Sequence, residues 1–492
     1  MKDSRPPIVR SLVLVIVVCA LLLTCLKIIS YGYLPSDDAL RHAAKVVSGK
    51  SWQEIVVLRP DMITDRHEGW HVFLGAVHRL TGCQQEGLVV VSVVLMALVF
   101  LLAPLPWLRR PEVWPLVLVY AAVAASPSVI GRIFLGRPFV FTMAVLMTLL
   151  LVWPRLKSRR LPIPELSLLL FLLTISTWFN GIPHLFVLPL IAFALAREWL
   201  VLVRSAVVMA LGAAIGASLT GSPLRFIVEG LLLSSRAFAD APLQNMVVAE
   251  FQAYGGEGAF LLAILFLLLW RSVRGEWSRE ALLRDPVFLL MGLGWVLGFS
   301  VMRFWTDWGL VAALAWLARE LNDVAERRVP ALTNQRLALA LAGGLVFYLN
   351  FSSDLEGRWT KPLTRRYLSQ ADPVQKDWLP DPGGIVYSDV NQVFYDTFYS
   401  NPRGEWRYLV GFEPTLMPPE DLKILRRIQW NPGAYSALQP WVEKMRPADR
   451  LMLFNSGGAP QIAGLEWASF TRDLWIGRLP RTTQVKAPAA GK

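Results

Sequence analysis

Long apolar runs separated by short polar segments dominate the first 352 residues of the chain. The first run extends from residue 11 to residue 30, and a helix of about 20 residues spans roughly 30 Å, the thickness of a bilayer core. Further runs lie near residues 88–107, 113–130, 138–153, 165–180, 183–197, 205–221, 259–270, 286–302, 308–318 and 335–352. The pattern predicts an all-α polytopic membrane protein with about eleven transmembrane helices.

Basic residues between the runs predict the orientation of these helices. Alternate connections hold clusters of arginine, which the positive-inside rule assigns to the cytoplasm, for example Arg109 with Arg110 and Arg327 with Arg328. Residues 1–10 are also basic, and no A-x-A-like cleavage site follows the first run, so that run is predicted to be a retained anchor with a cytoplasmic N-terminus. The segments 31–87 and 222–258 then become long outer loops.

The composition changes to that of a soluble domain after residue 352. Short β-like runs at residues 384–387, 406–410 and 450–454 alternate with helical stretches near 419–429 and 434–446. The chain is therefore predicted to consist of a membrane module, an extracytoplasmic α/β domain and a disordered tail, at residues 1–352, 353–481 and 482–492. The α/β domain is expected to cover the outer cavity or to recognise an acceptor, or to serve as a folded appendage.

The composition excludes a soluble globular protein. Hydrophobic residues make up 54% of the chain and the mean hydropathy is +0.44. The net charge of +12 does not predict a nucleic-acid partner, because many of the basic residues form short clusters between apolar runs rather than one stripe. Three cysteines, two of them within the first apolar run, exclude a disulfide framework. Membrane lipids are the expected surroundings.

The five histidines all lie on the predicted outer side: His42, His67, His71, His78 and His184. Residues 67–71 read His-Glu-Gly-Trp-His, a literal H-E-x-x-H, which on a helix would present two imidazoles to zinc beside a glutamate base. The third histidine comes one residue later than metzincin spacing requires, and the internal glycine weakens a helix. An integral-membrane zinc metalloprotease is one alternative function. A transporter, or a non-catalytic protein of polysaccharide export or assembly, is another.

An acidic pair, Asp37 and Asp38, follows the first apolar run, and a turn with Asp65 and His67 precedes the second. With the helical stretch between them, these features resemble the first extracytoplasmic loop of class GT-C integral-membrane glycosyltransferases, which include protein O-mannosyltransferases and aminoarabinose transferases. The resemblance covers about the first 90 residues and the hydrophobic layout up to the C-terminal domain. It implies inverting transfer of a sugar from a polyprenyl-phosphate donor to an unidentified acceptor (a lipid, a glycan or a protein) on the extracytoplasmic face.

The resemblance assigns the general base to Asp37, with Asp38 as the alternative or a positioning partner. A carboxylate near the nucleophile would take its proton during attack on the anomeric carbon. At least one of the two aspartates is also expected to cap the following helix. Asp65, His67 and His71 are candidate substrate contacts, although several relatives have His-Pro-Pro or His-Pro-Gly where this chain has His-Glu-Gly.

Three arginines at predicted outer turns are candidates for binding the donor phosphate. Arg132 and Arg137 lie in a glycine-containing turn, and Arg303 lies in another, both on the side that the positive-inside rule does not favour for arginine. Guanidinium groups bind phosphate through paired hydrogen bonds. Asp307 lies four residues after Arg303 and could pair with it instead. Trp305 could stack on a sugar or lie in the aromatic belt at the membrane interface.

The sequence predicts no cofactor. It contains no Gly-rich phosphate loop and no dinucleotide-binding fingerprint, so neither a nucleotide-sugar site nor an ATP site is expected. No D-x-D motif occurs in the first outer loop, so a metal is not required, although Asp37 and Asp38 leave a divalent metal possible. The expected location is the bacterial inner membrane.

Overall fold

The chain forms two compact units. A computed structural model describes residues 7–62, 64–124, 127–239, 243, 246, 249–253, 258–275, 278–328, 333–365, 367–471 and 473–480. The helical unit comprises Met1–Ala43 and Thr64–Arg365, and the sheet unit comprises Ala44–Ile63 and Arg366–Lys492. The predicted tail at residues 482–492 lies outside the described residues, as does part of the predicted outer loop 222–258.

The helical unit is built from α-helices that match the predicted apolar runs. Each of the eleven runs overlaps at least one helix. The helices are Pro7–Ser30, Glu68–Thr81, Gln85–Leu102, Val113–Ala124, Pro127–Ile133, Phe139–Leu156, Ile163–Phe179, Val187–Leu195, Trp199–Ser218, Pro223–Ala239, Gly258–Val273, Arg279–Leu283, Pro286–Gly298, Met302–Phe304, Leu310–Arg328 and Thr333–Ser352. A further helix, Asp38–Ser48, begins in the helical unit, and the described residues include a π-helical turn at Trp305–Gly309. The prediction of a mostly helical protein is confirmed.

Four helices in the described part of the chain are long and apolar enough to cross a membrane: Ile8–Ser30, Gln85–Leu102, Phe139–Leu156 and Trp199–Ser218. Shorter apolar helices accompany them, so the number of spans stays a prediction. In Phe139–Leu156, 83% of an 18-residue stretch is buried, against 33% in the first helix. Phe139–Leu156 is therefore a central helix of the unit.

Large apolar side chains remain exposed on the outer helices. Leu23, Phe171 and Phe266 are each more than half exposed and lie on three different helices. Contiguous apolar surface of this kind is unfavourable in water and favourable against hydrocarbon. The exposed faces therefore indicate an integral membrane protein.

The sheet unit contains a five-stranded mixed sheet. Its strands are β1 (Ile385–Tyr387), β2 (Arg407–Tyr408), β3 (Arg450–Phe454), β4 (Glu466–Ser469) and β5 (Leu474–Arg478). The strand order is β2-β1-β3-β5-β4, with β1 parallel to both its neighbours and the other pairs antiparallel. Helices accompany the sheet at Trp52–Ile55, Pro373–Lys376, Asn391–Ser400, Pro419–Trp430 and Gln439–Lys444. The three predicted β-like runs each contain a strand.

One segment belongs to a different unit from the one predicted. Residues 44–63 were expected to form part of the first outer loop of the membrane module, but the structure groups them with the sheet unit, which resumes after Arg365 rather than at residue 353. Trp52 and Val56 are buried against the core that contains Phe394 and Tyr408. Val56 also forms an isolated parallel bridge with Tyr408. Apolar side chains in this polar loop obtain burial only by joining that core.

Candidate functional site

Six charged side chains from separate segments form one ion-pair network in the helical unit. We call it the Glu250 cluster; its members are Asp37, Arg132, Arg137, Glu250, Arg303 and Asp307. Five of them were candidate site residues from the sequence. The structure therefore brings together residues that are up to 270 positions apart in the chain.

Asp37 is held by Arg137. The Nε atom of Arg137 donates to Asp37 Oδ1 at 3.1 Å, and Nη2 donates to Asp37 Oδ2. The preceding Gly136 has φ +67°, and a Cβ atom there would lie 3.1 Å from the Cβ atom of Ala39. Glycine thus permits the left-handed turn to approach the start of the helix Asp38–Ser48 closely. This approach brings the arginine to the aspartate.

Glu250 lies where three guanidinium groups meet. Its Oε1 atom accepts hydrogen bonds from Nη1 of Arg132 and Nη1 of Arg137, and its Oε2 atom lies 3.5 Å from Nε of Arg303. The carboxylate is on a short 3₁₀ turn, Ala249–Phe251. Although burial raises the pKa of Glu250, the arginines hold it below its ordinary value. Glu250 therefore remains ionised.

Asp307 supports the same arginines from the π-helical turn. Its side chain is 1% exposed, and Oδ1 accepts from Arg132 Nε at 2.8 Å. The predicted pair with Arg303 is also present, since Arg303 Nε lies 3.3 Å from Asp307 Oδ2. A π turn shifts the helical register by one residue and is common near functional sites.

Trp305 does not present a face to a sugar. The indole is fully buried, and a Cβ atom at Gly309 would lie 2.7 Å from its ring. Its ring also meets that of Phe260 edge-on. Both proposed roles, stacking on a sugar and lying in an interfacial belt, require exposure, so helix packing replaces them as the role of this side chain.

The two aspartates of the acidic pair differ in their partners. Asp38 Oδ1 accepts from Arg41 Nε at 2.7 Å, and its Oδ2 atom lies 3.6 Å from Arg137 Nε. Burial raises the pKa of Asp38, but Arg41 and Arg137 outweigh it and hold the pKa well below the ordinary value. Burial likewise raises the pKa of Asp37, where the negative charges of Asp38 and Glu250 add to the increase and Arg137 opposes it. The two neighbouring carboxyl groups therefore have pKa values shifted in opposite directions.

The acidic pair lies at the start of a helix, as the sequence predicted. The helix begins at Asp38, and Oδ1 of Asp37 accepts the backbone N–H of Asp38. Asp38 itself lies in the first turn, where a negative charge is favoured by the helix dipole. Asp38 therefore combines a favourable position at the helix N-terminus with its ion pair to Arg41.

A chain of hydrogen bonds joins Asp65 to two histidines. Asp65 Oδ2 lies 2.6 Å from His71 Nδ1, and His71 Nε2 lies 2.8 Å from His42 Nδ1. The other carboxylate oxygen, Oδ1, accepts the backbone N–H of His67 at 3.0 Å. We call Asp65, His71 and His42 the histidine chain. His42 is fully buried and lies one helical turn after Asp38.

His67 packs between the histidine chain and Asp38. Its Nδ1 atom donates to the carbonyl of Phe179 at 3.0 Å, and its ring meets the ring of His42 edge-on at 4.7 Å. Burial lowers the pKa of His67 to about 3, and the charge of Arg41 acts in the same direction while Asp38 opposes both. His67 is therefore neutral at physiological pH.

The H-E-x-x-H motif does not form a zinc site. His67 precedes the helix Glu68–Thr81 as its N-cap, and its Nδ1 atom bonds a carbonyl. Both ring nitrogens of His71 have hydrogen-bond partners. No group of three ligating side chains suited to a metal ion occurs among the residues that the structure describes. The zinc metalloprotease is not favoured.

The glycine of the motif has a packing role. A Cβ atom at Gly69 would lie 2.3 Å from the indole of Trp178. The other two outer histidines lie apart from this site: His78 bonds the carbonyl of Cys83, and His184 bonds the hydroxyl of Ser234. Only three of the five histidines therefore belong to the site.

Sequence reasoning did not select three residues that the structure places here: Arg41, His42 and Glu250. Arg41 lies three residues after Asp38, a helical spacing that favours an ion pair and could have identified it. His42 was noted as one of the outer histidines. Nothing in the sequence distinguishes Glu250 from other acids of its loop.

No protein-family model matches the sequence, and no curated protein matches it. The chain is similar to the solved structure of ArnT from Cupriavidus metallidurans, at 14% identity over 94% of this chain and 97% of that one, with a TM-score of 0.49. It is similar to arabinofuranosyltransferase AftD from Mycobacteria, at 14% identity and a TM-score of 0.47, and the similarity spans 96% of this chain but 40% of that one.

A third similar structure is an oligosaccharyltransferase from Archaeoglobus fulgidus, at 12% identity over 90% of this chain and 69% of that one, with a TM-score of 0.45. Two of the three names are those of glycosyltransferases, the class that the sequence resembles. Because each TM-score is below 0.5, these similarities assign neither an activity nor a residue role to this chain.

Proposed function

We propose that this protein is an integral-membrane glycosyltransferase of GT-C type that moves a sugar from a polyprenyl-phosphate donor to an acceptor hydroxyl or amine. The supporting observation is that three guanidinium groups meet one carboxylate beside Asp37, whose pKa burial raises. Such a transfer needs an anion site for the leaving phosphate and a base for the nucleophile. The Glu250 cluster provides groups suited to both tasks.

The position of Glu250 suggests where the donor phosphate binds. A carboxylate oxygen that accepts from Arg132 and Arg137 resembles a phosphate oxygen in charge and in hydrogen-bond geometry. In the proposal, the donor phosphate takes the place of the Glu250 carboxylate against these guanidiniums and Arg303. Arg303 is the most exposed of the three arginines, at 33%, and it would contact the phosphate from the open side.

The reaction is a single in-line displacement. The acceptor oxygen or nitrogen attacks the anomeric carbon, the bond from that carbon to the phosphate oxygen breaks, and the acceptor proton passes to Asp37. Polyprenyl phosphate leaves with the bonding electrons, held by the arginines, and the anomeric configuration inverts. Asp38 stays ionised through its pair with Arg41, and its negative charge contributes to the raised pKa of Asp37.

Binding of the leaving group tests the anion site without knowledge of the sugar. Undecaprenyl phosphate at about 100 times its dissociation constant should stabilise the detergent-purified protein by roughly 2.7 kcal/mol in thermal unfolding. Arg137→Ala and Arg132→Ala should lose this stabilisation, because each removes a guanidinium group that donates hydrogen bonds to the phosphate. Arg109→Ala is the matched control, since Arg109 is 79% exposed and pairs with Glu326 outside the cluster. Absence of stabilisation in the unaltered protein would contradict the proposal.

Removal of the base tests the chemical step. Asp37→Asn should lower transfer by about 10²- to 10⁴-fold without weakening undecaprenyl phosphate binding. Transfer is measured as release of undecaprenyl phosphate from a panel of undecaprenyl-phosphate sugars. Asp61→Asn is the control, because that carboxylate bonds Arg59 at 2.6 Å in the sheet unit. Full transfer by Asp37→Asn would place the base elsewhere.

A further inference from the structure

The histidine chain ends in a buried nitrogen atom without a hydrogen-bond partner. His42 is 0% exposed, its Nδ1 atom bonds His71, and its Nε2 atom is buried with no partner among the described residues. An unpaired polar atom in the interior is costly, and native proteins usually fill such a position with water or a ligand. The direction of the proton donors along the chain decides which kind of group fits here.

The carboxylate at the other end fixes that direction. His71 and the backbone N–H of His67 hold the pKa of Asp65 below its ordinary value although burial raises it, so Asp65 only accepts hydrogen bonds. For neutral imidazoles, His71 must then carry its proton on Nδ1, which leaves His71 Nε2 as an acceptor. His42 in turn must carry its proton on Nδ1. With both rings neutral, the partnerless Nε2 atom of His42 is an acceptor.

The position of His42 connects this acceptor to the proposed site. His42 follows Asp38 by one turn on the same helix, and the positive charges of Arg41 and Arg137 act on its imidazole. Burial is the main cause that lowers the pKa of His42, and these charges add to it, so the ring stays neutral. A neutral imidazole that cannot readily take a proton is suited to accept a hydrogen bond rather than to act as the base.

We propose that His42 Nε2 accepts a hydrogen bond from a substrate hydroxyl, with Asp65 and His71 as positioning residues that hold His42 in the accepting tautomer. The inference rests on the proposed transferase function. Both the sugar of the donor and the acceptor offer hydroxyl groups, so the chemistry is the same for either source. The proton of the nucleophile still passes to Asp37.

Asp65→Asn tests the proposal without replacing His42, the residue that contacts the hydroxyl. The Asp65 Oδ1 atom accepts the backbone N–H of His67, and the amide oxygen of Asn would keep that bond. The amide NH₂ group then faces His71 Nδ1, which must become an acceptor, so His71 and His42 both change tautomer. His42 Nε2 becomes a proton donor and opposes the hydroxyl hydrogen, so the bond survives only if that hydroxyl rotates and is otherwise lost.

Two substitutions at His42 distinguish the roles of its two ring nitrogen atoms. Asn at this position places an amide N–H near the original Nδ1 and removes the Nε2 acceptor, whereas Gln places an amide near the original Nε2. His78→Asn is the control, since His78 bonds Cys83 away from the site. Each protein is tested with undecaprenyl phosphate and with one undecaprenyl-phosphate sugar. That sugar is mannose, glucose or arabinose, whichever stabilises the unaltered protein most.

All variants should bind undecaprenyl phosphate as the unaltered protein does. His42→Asn and Asp65→Asn should weaken binding by about 10-fold or more, either of the sugar-bearing lipid or of the acceptor, seen as a raised KM. Weaker binding of the sugar-bearing lipid assigns the hydroxyl to the donor sugar, and a raised acceptor KM assigns it to the acceptor. His42→Gln should recover part of the loss. Nitrogen-15 NMR of labelled histidine should show His42 Nε2 unprotonated in the unaltered protein and protonated in Asp65→Asn.

Two failures are distinguishable. If undecaprenyl phosphate does not stabilise the unaltered protein, the proposed function fails. If it does, but His42→Asn and Asp65→Asn match the unaltered protein in sugar-lipid binding and in acceptor KM, then His42 Nε2 bonds only ordered water and the inference is overturned. A loss of thermal stability that leaves both binding constants unchanged overturns the inference as well, because it assigns His42 a purely structural role.

Discussion

Two clusters of arginine and carboxylate in the helical unit use the same residue types with different geometry. In the Glu112 cluster, which consists of Arg110, Glu112, Asn322 and Arg336, Glu112 is fully buried and both its oxygens accept from Arg336, at 2.8 and 3.2 Å. Asn322 Oδ1 accepts the backbone N–H of Arg110 at 3.0 Å. The Glu250 cluster instead leaves Arg303 one-third exposed and shares one carboxylate among three guanidiniums.

In the proposed function, this difference separates an internal ion pair from a site that exchanges its anion. A carboxylate with zero exposure and a bidentate partner, such as Glu112, has no route to solvent. A carboxylate shared among three guanidiniums, of which only Arg303 is appreciably exposed, satisfies each of them incompletely, so a phosphate with more oxygen atoms is expected to compete for the same donors. Buried pairing alone therefore does not indicate function; exposure and sharing of the acceptor do.

The largest expected effect is on stability at the Glu112 cluster. Glu112→Gln leaves the buried guanidiniums of Arg110 and Arg336 without a compensating charge, which should lower the free energy of unfolding by about 3–5 kcal/mol. Glu326→Gln is the matched control, because Glu326 pairs with the exposed Arg109 and should cost about 0–1 kcal/mol. Thermal unfolding in detergent measures both. Equal losses would show that burial of the pair does not govern its contribution.

A smaller effect is expected at the Glu250 cluster, where the substitution should strengthen ligand binding. Glu250→Gln removes the anion that competes for Arg132 and Arg137, so undecaprenyl phosphate should bind about tenfold tighter, a gain of roughly 1.4 kcal/mol. The ligand-free variant should unfold at a lower temperature, since the guanidiniums then repel one another. Titration with undecaprenyl phosphate, with Glu326→Gln as the control, checks the prediction. Weaker binding would mean that Glu250 assists the donor rather than yielding its place.

The smallest effect is a shift in pH dependence. In the proposed mechanism Asp37 acts as a base only when it is ionised, so transfer should fall as the pH drops through its pKa. The negative charge of Glu250 contributes to the raised pKa of Asp37 and the charge of Arg137 lowers it. Glu250→Gln removes the first influence, so the acid limb of the kcat/KM profile should move to lower pH, by about one unit or less. An unchanged or opposite shift would indicate that another group titrates.

The apolar runs were predictable because their signal is local. Each predicted run overlaps a helix, since about 20 consecutive apolar residues determine both helix formation and its environment without reference to distant residues. Three of the five strands, β1, β2 and β3, were predictable from short β-like runs, whereas β4 and β5 were not predicted. The assignment of residues 44–63 was not predictable, because Trp52 and Val56 find their core among residues more than 300 positions later.

The candidate site also has features that were predictable from the sequence and features that were not. The acidic pair and the arginines at the outer turns stood out from the sequence, and the i, i+4 pair of Arg303 with Asp307 followed from helical spacing. The roles expected of Trp305 and the zinc alternative at the H-E-x-x-H motif both depended on exposure or helical phase, which are not local properties. Trp305 is buried by Gly309 and Phe260, and His67 lies before the helix rather than on it.

The sequence by itself determined the apolar helices, the presence of an α/β unit and the residue types available for phosphate binding and proton transfer, because hydropathy and spacing act over short stretches of chain. Only the tertiary structure decided which charges meet. Glu250 reaches Arg132 and Arg137 across more than 100 residues, and Asp65 is joined to His42 through His71. Ionic and hydrogen-bond networks depend on distances of about 3 Å between distant segments, and those distances exist only once the helices have packed.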